Sequence, residues 1–201
     1  MSFWDNLLDK SIVFSFDRTG FRRHAEKFTE GPQRTDTSSL HAVVTGANSG
    51  IGFATAYQLS KLGMTVTIVG RNQQRTEGAE MRLHELGCPK VRRLCCDLSV
   101  LKEVEALAEE LPEVDILIHN AGDMVHELTF TGAGIEKITA THVVGPWRLT
   151  ELLIAQNKLD LKRDSRLIFV SSGGMYSQPL LVERLNQFNG AYDGVKHYAL
   201  T

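Results

Sequence analysis

From Leu40 onward, short apolar, β-branched runs alternate with longer stretches whose apolar positions recur at helical spacing. Leu40 to Thr45, Thr65 to Val69, Val91 to Cys95, Asp115 to His119 and Arg166 to Val170 read as buried strands. Ile51 to Leu62, Asn72 to Leu86, Val100 to Leu111 and Gly134 to Asn157 read as helices between them. Successive β-α steps imply parallel neighbours, because each crossover is a helix, and helices then cover both faces of the sheet. The pattern therefore predicts a doubly wound α/β domain over 40–201, three layers deep. Residues 1–39 read differently. Phe3, Trp4, Phe14, Phe16, Phe21 and Phe28 are interleaved with charges of both signs, and Gly31, Pro32 and the polar run Gln33 to Ser39 make a break. This is an N-terminal arm that packs on the domain or lies on a membrane or a partner.

Composition narrows the partners. With 22 Lys+Arg against 24 Asp+Glu in 201 residues the net charge is -2, so there is no bulk electrostatic reason to expect nucleic acid or an anionic membrane surface. A small molecule is the expected ligand. Cys88, Cys95 and Cys96 make neither a disulfide framework nor a zinc pattern, so no metal is expected. No stretch approaches the roughly 20 apolar residues of a membrane span, and Asp5 and Asp9 stand where a signal peptide would be basic, then apolar. The expectation is a cytoplasmic protein.

The first strand runs into Thr45-Gly46-Ala47-Asn48-Ser49-Gly50-Ile51-Gly52 and then a helix. Glycines let backbone amides approach a pyrophosphate, and a helix N-terminus adds unpaired donors and partial positive charge. Three glycines in a turn mean little alone; their place between strand and helix, at the start of a βαβ series, makes a dinucleotide site. Dinucleotide choice follows from charge. An NAD site holds the adenosine ribose with an acid about 20 residues beyond the glycines, yet no acidic residue occurs between Thr37 and Thr76. Gly70-Arg71-Asn72 stands there instead, and Arg71 suits a 2′-phosphate, which favours NADP.

These residues resemble the classical short-chain dehydrogenases/reductases. The resemblance continues through Asp97-Leu98, His119-Asn120-Ala121-Gly122, Ser171-Ser172 and Tyr192-x3-Lys196. It implies a Rossmann-type sheet, a nicotinamide cofactor and exchange of a carbonyl and an alcohol by hydride transfer. It makes Asp97 an adenine contact, although that residue also reads as a helix N-cap. Asn120, Ala121 and Gly122 would support the central strand and line the nicotinamide side. Members often pair as homodimers through their fourth and fifth helices.

Hydride transfer to a carbonyl leaves an oxyanion that must receive a proton, so an acid is needed within hydrogen-bond reach. Tyr192 is the expected acid. A phenol titrates near pH 10, and Lys196, one helical turn on, would lower that value; by resemblance it also grips the nicotinamide ribose. Ser172 would orient the substrate oxygen, with Ser171 turned elsewhere and Tyr176 a competing phenol without a following Lys.

Two departures from the family pattern stand out. His142 occupies the position of an Asn whose carbonyl holds a water near the Lys, and His119 replaces the first Asn of Asn-Asn-Ala-Gly. Family members also continue beyond the helix that holds Tyr192 and Lys196, through two more strands and a substrate-covering loop. The expected domain is therefore C-terminally incomplete, with its fifth strand an apolar edge. An enzyme and a catalytically inactive cofactor-binding or interaction fragment both remain open readings.

Overall fold

Ala42 and Val44 of the first strand face one side of the sheet and Val43 the other, and all three are fully buried. That burial explains the unbroken apolar run: a parallel strand covered on both faces has no polar side. A computed structural model describes residue 8 and residues 18–26, 36–162, 165–188 and 190–201. It contains five parallel strands, β1 (His41–Thr45), β2 (Thr65–Gly70), β3 (Val91–Cys95), β4 (Ile116–His119) and β5 (Arg166–Phe169), in the order β3-β2-β1-β4-β5. Each lies within one residue of its predicted ends, and β5 is the expected edge, with Ile168 and Phe169 exposed.

In chain order the helices are α1 (Arg18–Ala25), α2 (Gly50–Lys61), α3 (Gln73–Glu85), α4 (Leu101–Glu110), α5 (Lys137–Thr139), α6 (Gly145–Ala155) and α7 (Gly194–Leu200). Ala56 of α2 and Ala79 and Leu83 of α3 pack with Ala42, Val44, Val66 and Ile68 on one face. Val104 and Leu107 of α4 and Leu149 and Leu153 of α6 pack with Val43 and Leu117 on the other. This is the doubly wound, three-layer architecture. Only α1 and short pieces of the proposed arm are described, so the arm as a whole lies outside the described residues.

The predicted long helix over 134–157 is corrected. It starts at Lys137, capped by the Glu136 carboxylate, and is interrupted by a π turn over Ala140–Val144 before α6. Pro146 is the physical cause at one end: it has no N–H to donate to the His142 carbonyl four residues back. Gly145 sits against the Leu98 carbonyl, where a Cβ would collide. Because β1 lies between β2 and β4, the order reverses beside its C-terminal end, and a crevice opens there, where doubly wound sheets bind ligands.

Candidate active site and cofactor groove

The glycines of the first turn divide their labour. Gly46 has φ +66°, and a Cβ on it would lie 2.6 Å from the Ala121 Cα; one on Gly52 would press on the Asn120 side-chain amide and, at 2.6 Å, on the Gly46 carbonyl. Both are glycine so that the turn can close on the exit of β4. Gly50, φ +56°, has open space around it at the start of α2. Ser49 is the N-cap of α2 but makes no side-chain cap; its hydroxyl turns to Asn48 Oδ1 at 3.3 Å. No capping side chain therefore occupies the first-turn amides beside Gly50 and Ile51, which is what an anion site at a helix N-terminus requires.

Asn120 ties the two strand exits together. Its side-chain amide donates to the Thr45 carbonyl at 2.9 Å and the Gly46 carbonyl at 3.3 Å, while Thr45 Oγ1 accepts from the amides of Asn120 and Ala121, each at 3.1 Å. A cleft of about 310 Å³ runs over this turn, lined by Asn48, Ser49, Arg71, Asp97, Gly122 and Asp123 among others.

The expected ribose end holds a surprise. Arg71 lines the cleft, but its guanidinium pairs with Asp123, in the loop after β4. Asn72 is the N-cap of α3, accepting from the Arg75 amide at 2.9 Å, so its side chain serves the helix. Arg75 also lines the cleft and had no sequence signal beyond its place in the first turn of α3. Asp97 Oδ1 accepts from the amide and hydroxyl of Ser99, at 2.9 and 2.7 Å, and Oδ2 from Lys137 Nζ at 2.9 Å. Burial works to raise its pKa, but those donors outweigh it and hold the carboxyl below its ordinary value. Leu98 is a core residue whose carbonyl meets Gly145.

A second cavity, about 910 Å³, opens between the ends of β4 and β5 and α7. Asn120, Ala121 and Gly122 line both spaces and form the sill between them. Ser171 and Ser172 lie on its wall. Ser172 Oγ accepts from the Gly174 amide at 3.2 Å, capping a 3-10 turn, and Ser171 Oγ donates to Met175 Sδ at 3.2 Å.

Tyr192 and Lys196 are not brought together here. Tyr192 donates its hydroxyl to Glu136 Oε1 at 2.9 Å, and Lys196 Nζ lies 3.5 Å from Asp193 Oδ2 with most of its side chain in solvent. The cause is local. Asp193 is the N-cap of α7, its Oδ1 accepting from the amides of Val195 and Lys196 at 3.1 Å each. Tyr192 thus precedes the helix and shares no helical face with Lys196. Its phenol is also tuned the wrong way: burial first, then the bond to the Glu136 carboxylate, pushes its pKa up.

The phenol on the cavity wall is Tyr198, within α7. Its ring stands edge-on to the His142 ring, centroids 5.1 Å apart at 84°. The helix reaches this place because Gly194 fits against the Val125 carbonyl, where a Cβ would collide. A Tyr-x3-Lys search misses Tyr198, since the position four residues on is one beyond the sequence; the available signal was Asp193, a strong N-cap residue that excludes Tyr192 from the helix. His119 also lines this cavity, stacked on Phe169 at 4.9 Å and bonded through Nε2 to Thr150 Oγ1 at 2.8 Å. Burial lowers its pKa to about 4.

Fold, glycine turn and strand-end loop define a nicotinamide-type Rossmann domain, and comparison with known proteins makes this specific. The chain belongs to the short chain dehydrogenase family, whose model matches residues 40–181. It is 35% identical to dehydrogenase/reductase SDR family member 12 of Bos taurus over 188 residues, covering 92% of this chain and 59% of that protein. It therefore spans less than two thirds of that relative's length. A crystal structure of an uncharacterized protein from Mycobacterium paratuberculosis is 30% identical, with a TM-score of 0.68, over 81% of this chain and 57% of that one. A short-chain dehydrogenase from Sphingobium yanoikuyae in complex with NADPH shares the fold, with a TM-score of 0.59 at 22% identity over 80% of this chain and 59% of that one. Among the described residues no helix is long and apolar enough to cross a membrane.

Proposed function

We propose that this chain binds NADP and exchanges a carbonyl and an alcohol, with Tyr198, not Tyr192, as the proton-transfer group. The observation that carries this reading is the shared sill. Asn120, Ala121 and Gly122 border both the cleft over the glycine turn and the cavity that Ser172 and Tyr198 line, so one extended molecule lying across them would present its far end to a serine and a phenol.

The residues present fit the cofactor, because the first turn of α2 has no capping side chain and Gly50 stands clear of neighbours. The amides of that turn would hold the pyrophosphate, Asp97 would meet the adenine, and Arg71, with Arg75 close by, would take the 2′-phosphate. The Arg71 guanidinium exchanges one anion, Asp123, for another in doing so. When bound, the nicotinamide supplies or accepts the hydride at the carbon of the reacting group. Ser172 orients the substrate oxygen by a hydrogen bond, and Tyr198 gives that oxygen a proton in reduction and takes one in oxidation.

Titration with NADPH and NADH, followed by assays over a panel of aldehydes and ketones, tests the proposal. NADPH is expected to bind more tightly than NADH, and Arg71→Asp to reverse that order. Tyr198→Phe is expected to abolish turnover while NADPH still binds. Retained turnover in Tyr198→Phe overturns the assignment. Binding without turnover in the unaltered protein would favour the second reading, a cofactor-binding unit. The exposure of Phe169 and Val170 at the edge of the cavity lends that reading some weight.

A further inference from the structure

The His142 side chain joins the loop after β4, the end of α7 and the Tyr198 ring. Its Nε2 meets the Asp123 amide at 2.9 Å, its Nδ1 meets Thr201 Oγ1 at 2.9 Å, and its ring packs edge-on against Tyr198. The partners assign the tautomer. An amide can only donate, so Nε2 accepts; Thr201 Oγ1 donates onward to the Tyr198 carbonyl at 3.3 Å, so it accepts from Nδ1–H. The imidazole is neutral, with each nitrogen in use.

We propose that His142 is a positioning residue that pins the Tyr198 helix to the loop after β4, through Asp123 on one side and Thr201 on the other, and so sets where the phenol meets the substrate. The proposal rests on Tyr198 as the acid. It concerns the imidazole, a departure from the Asn to which the family resemblance assigns only a backbone carbonyl.

The surroundings agree. The titratable groups around the ring are the Asp123 carboxylate in the loop, Glu136 at the start of its own helical stretch, and His197 and Tyr198 on α7. Burial is the largest influence on His142 and lowers its pKa, with His197 acting in the same direction and Asp123 and Glu136 opposing. Adding a proton would set an Nε2–H against the Asp123 amide, donor to donor, so the ring keeps its neutral form.

Substitutions separate the two links. His142→Phe keeps a ring against Tyr198 and removes both hydrogen bonds. His142→Gln keeps an acceptor near the Nε2 position, and His142→Asn keeps a donor near the Nδ1 position. The readout is the 13C resonance of ring-labelled tyrosine, with the Tyr198 signal assigned by its loss in Tyr198→Phe. In His142→Phe that signal is expected to shift and broaden, while the Tyr192 signal, held by Glu136, stays in place and reports an intact fold. Gln and Asn each restore part of the shift. Where turnover is measured, His142→Phe is expected to lower kcat about tenfold to a hundredfold with the KM for NADPH unchanged, as for a displaced reacting group.

A Tyr198 signal in His142→Phe that superimposes on the unaltered protein overturns the proposal. Should His142→Phe not fold, Thr201→Val removes one partner alone and must move the same signal. Absence of turnover in the unaltered protein would remove the catalytic reading and leave the resonance test standing.

Discussion

The two walls of the groove are held by different physics. The wall over the glycine turn is set by backbone: Gly46 and Gly52 sit in contact with the exit of β4, and Asn120 bonds the Thr45 and Gly46 carbonyls. The wall at α7 is set by side chains, many of them titratable. Glu136 accepts from the amides of Ile138 and Thr139 and the hydroxyl of Tyr192, and lies 2.8 Å from His197 Nε2; His142 bridges Asp123 and Thr201. A backbone wall has one arrangement and no dependence on proton concentration. A wall of buried polar side chains holds only while each donor keeps its acceptor.

The largest expected effect breaks the backbone wall. Gly46→Ala places a side chain at φ +66° and 2.6 Å from the Ala121 Cα. Left-handed strain and overpacking together are expected to cost about 4 kcal/mol, measured by urea unfolding, and NADPH binding should vanish with it. Stability and binding both within error of the unaltered protein would show that the turn can open, and the contrast between the walls would fail.

Acid tests the same dependence on buried side chains at the floor of the cavity, where β4 ends between the two walls. His119, at the end of β4, is buried against Phe169 with its pKa lowered to about 4, while the unfolded chain binds that proton near pH 6.5. Between those values the unfolded state carries more protons, so this residue's contribution is unaltered above pH 6.5 and stability is lost as pH falls toward 4. The loss amounts to about 3 kcal/mol at 1.36 kcal/mol per pH unit. His119→Asn removes that titration, and its unfolding free energy is expected to decline less over the same window. Parallel curves for the two proteins would mean that His119 does not stay neutral in the fold.

The same contrast explains what could be read from residues alone. Strand runs such as Ala42-Val43-Val44 and Val66-Thr67-Ile68 are legible because burial on both faces favours apolar and β-branched residues, whatever the details of packing. The glycine turn is legible because its sterics are local. Arg71 was legible as a basic residue in the right loop, but its ion pair with Asp123 joins positions far apart in sequence, and no spacing rule reports it. The break in the helix over 134–157 was present in Pro146, and its consequence for the His142 carbonyl follows from the missing N–H. Tyr192 and Lys196 satisfied a spacing that has meaning only inside a helix, and with Asp193 as its cap that helix begins at Gly194, two residues after Tyr192. Spacing identifies a shared face only after the cap has been placed.

The smallest expected effect sharpens the comparison most. Tyr192→Phe removes the hydroxyl that donates to Glu136 and keeps the ring contacts with Phe188 and His197. Glu136 retains its two backbone donors and His197, so the expected cost is about 1 kcal/mol, that of one hydrogen bond, seen as a small fall in the urea midpoint. NADPH affinity and turnover are expected to stay at their original values, because this phenol faces the buried carboxylate and not the cavity. A folded Tyr192→Phe protein that bound NADPH but had lost turnover would return the proton-transfer role to Tyr192, and α7 would then have to rearrange for the reaction to occur.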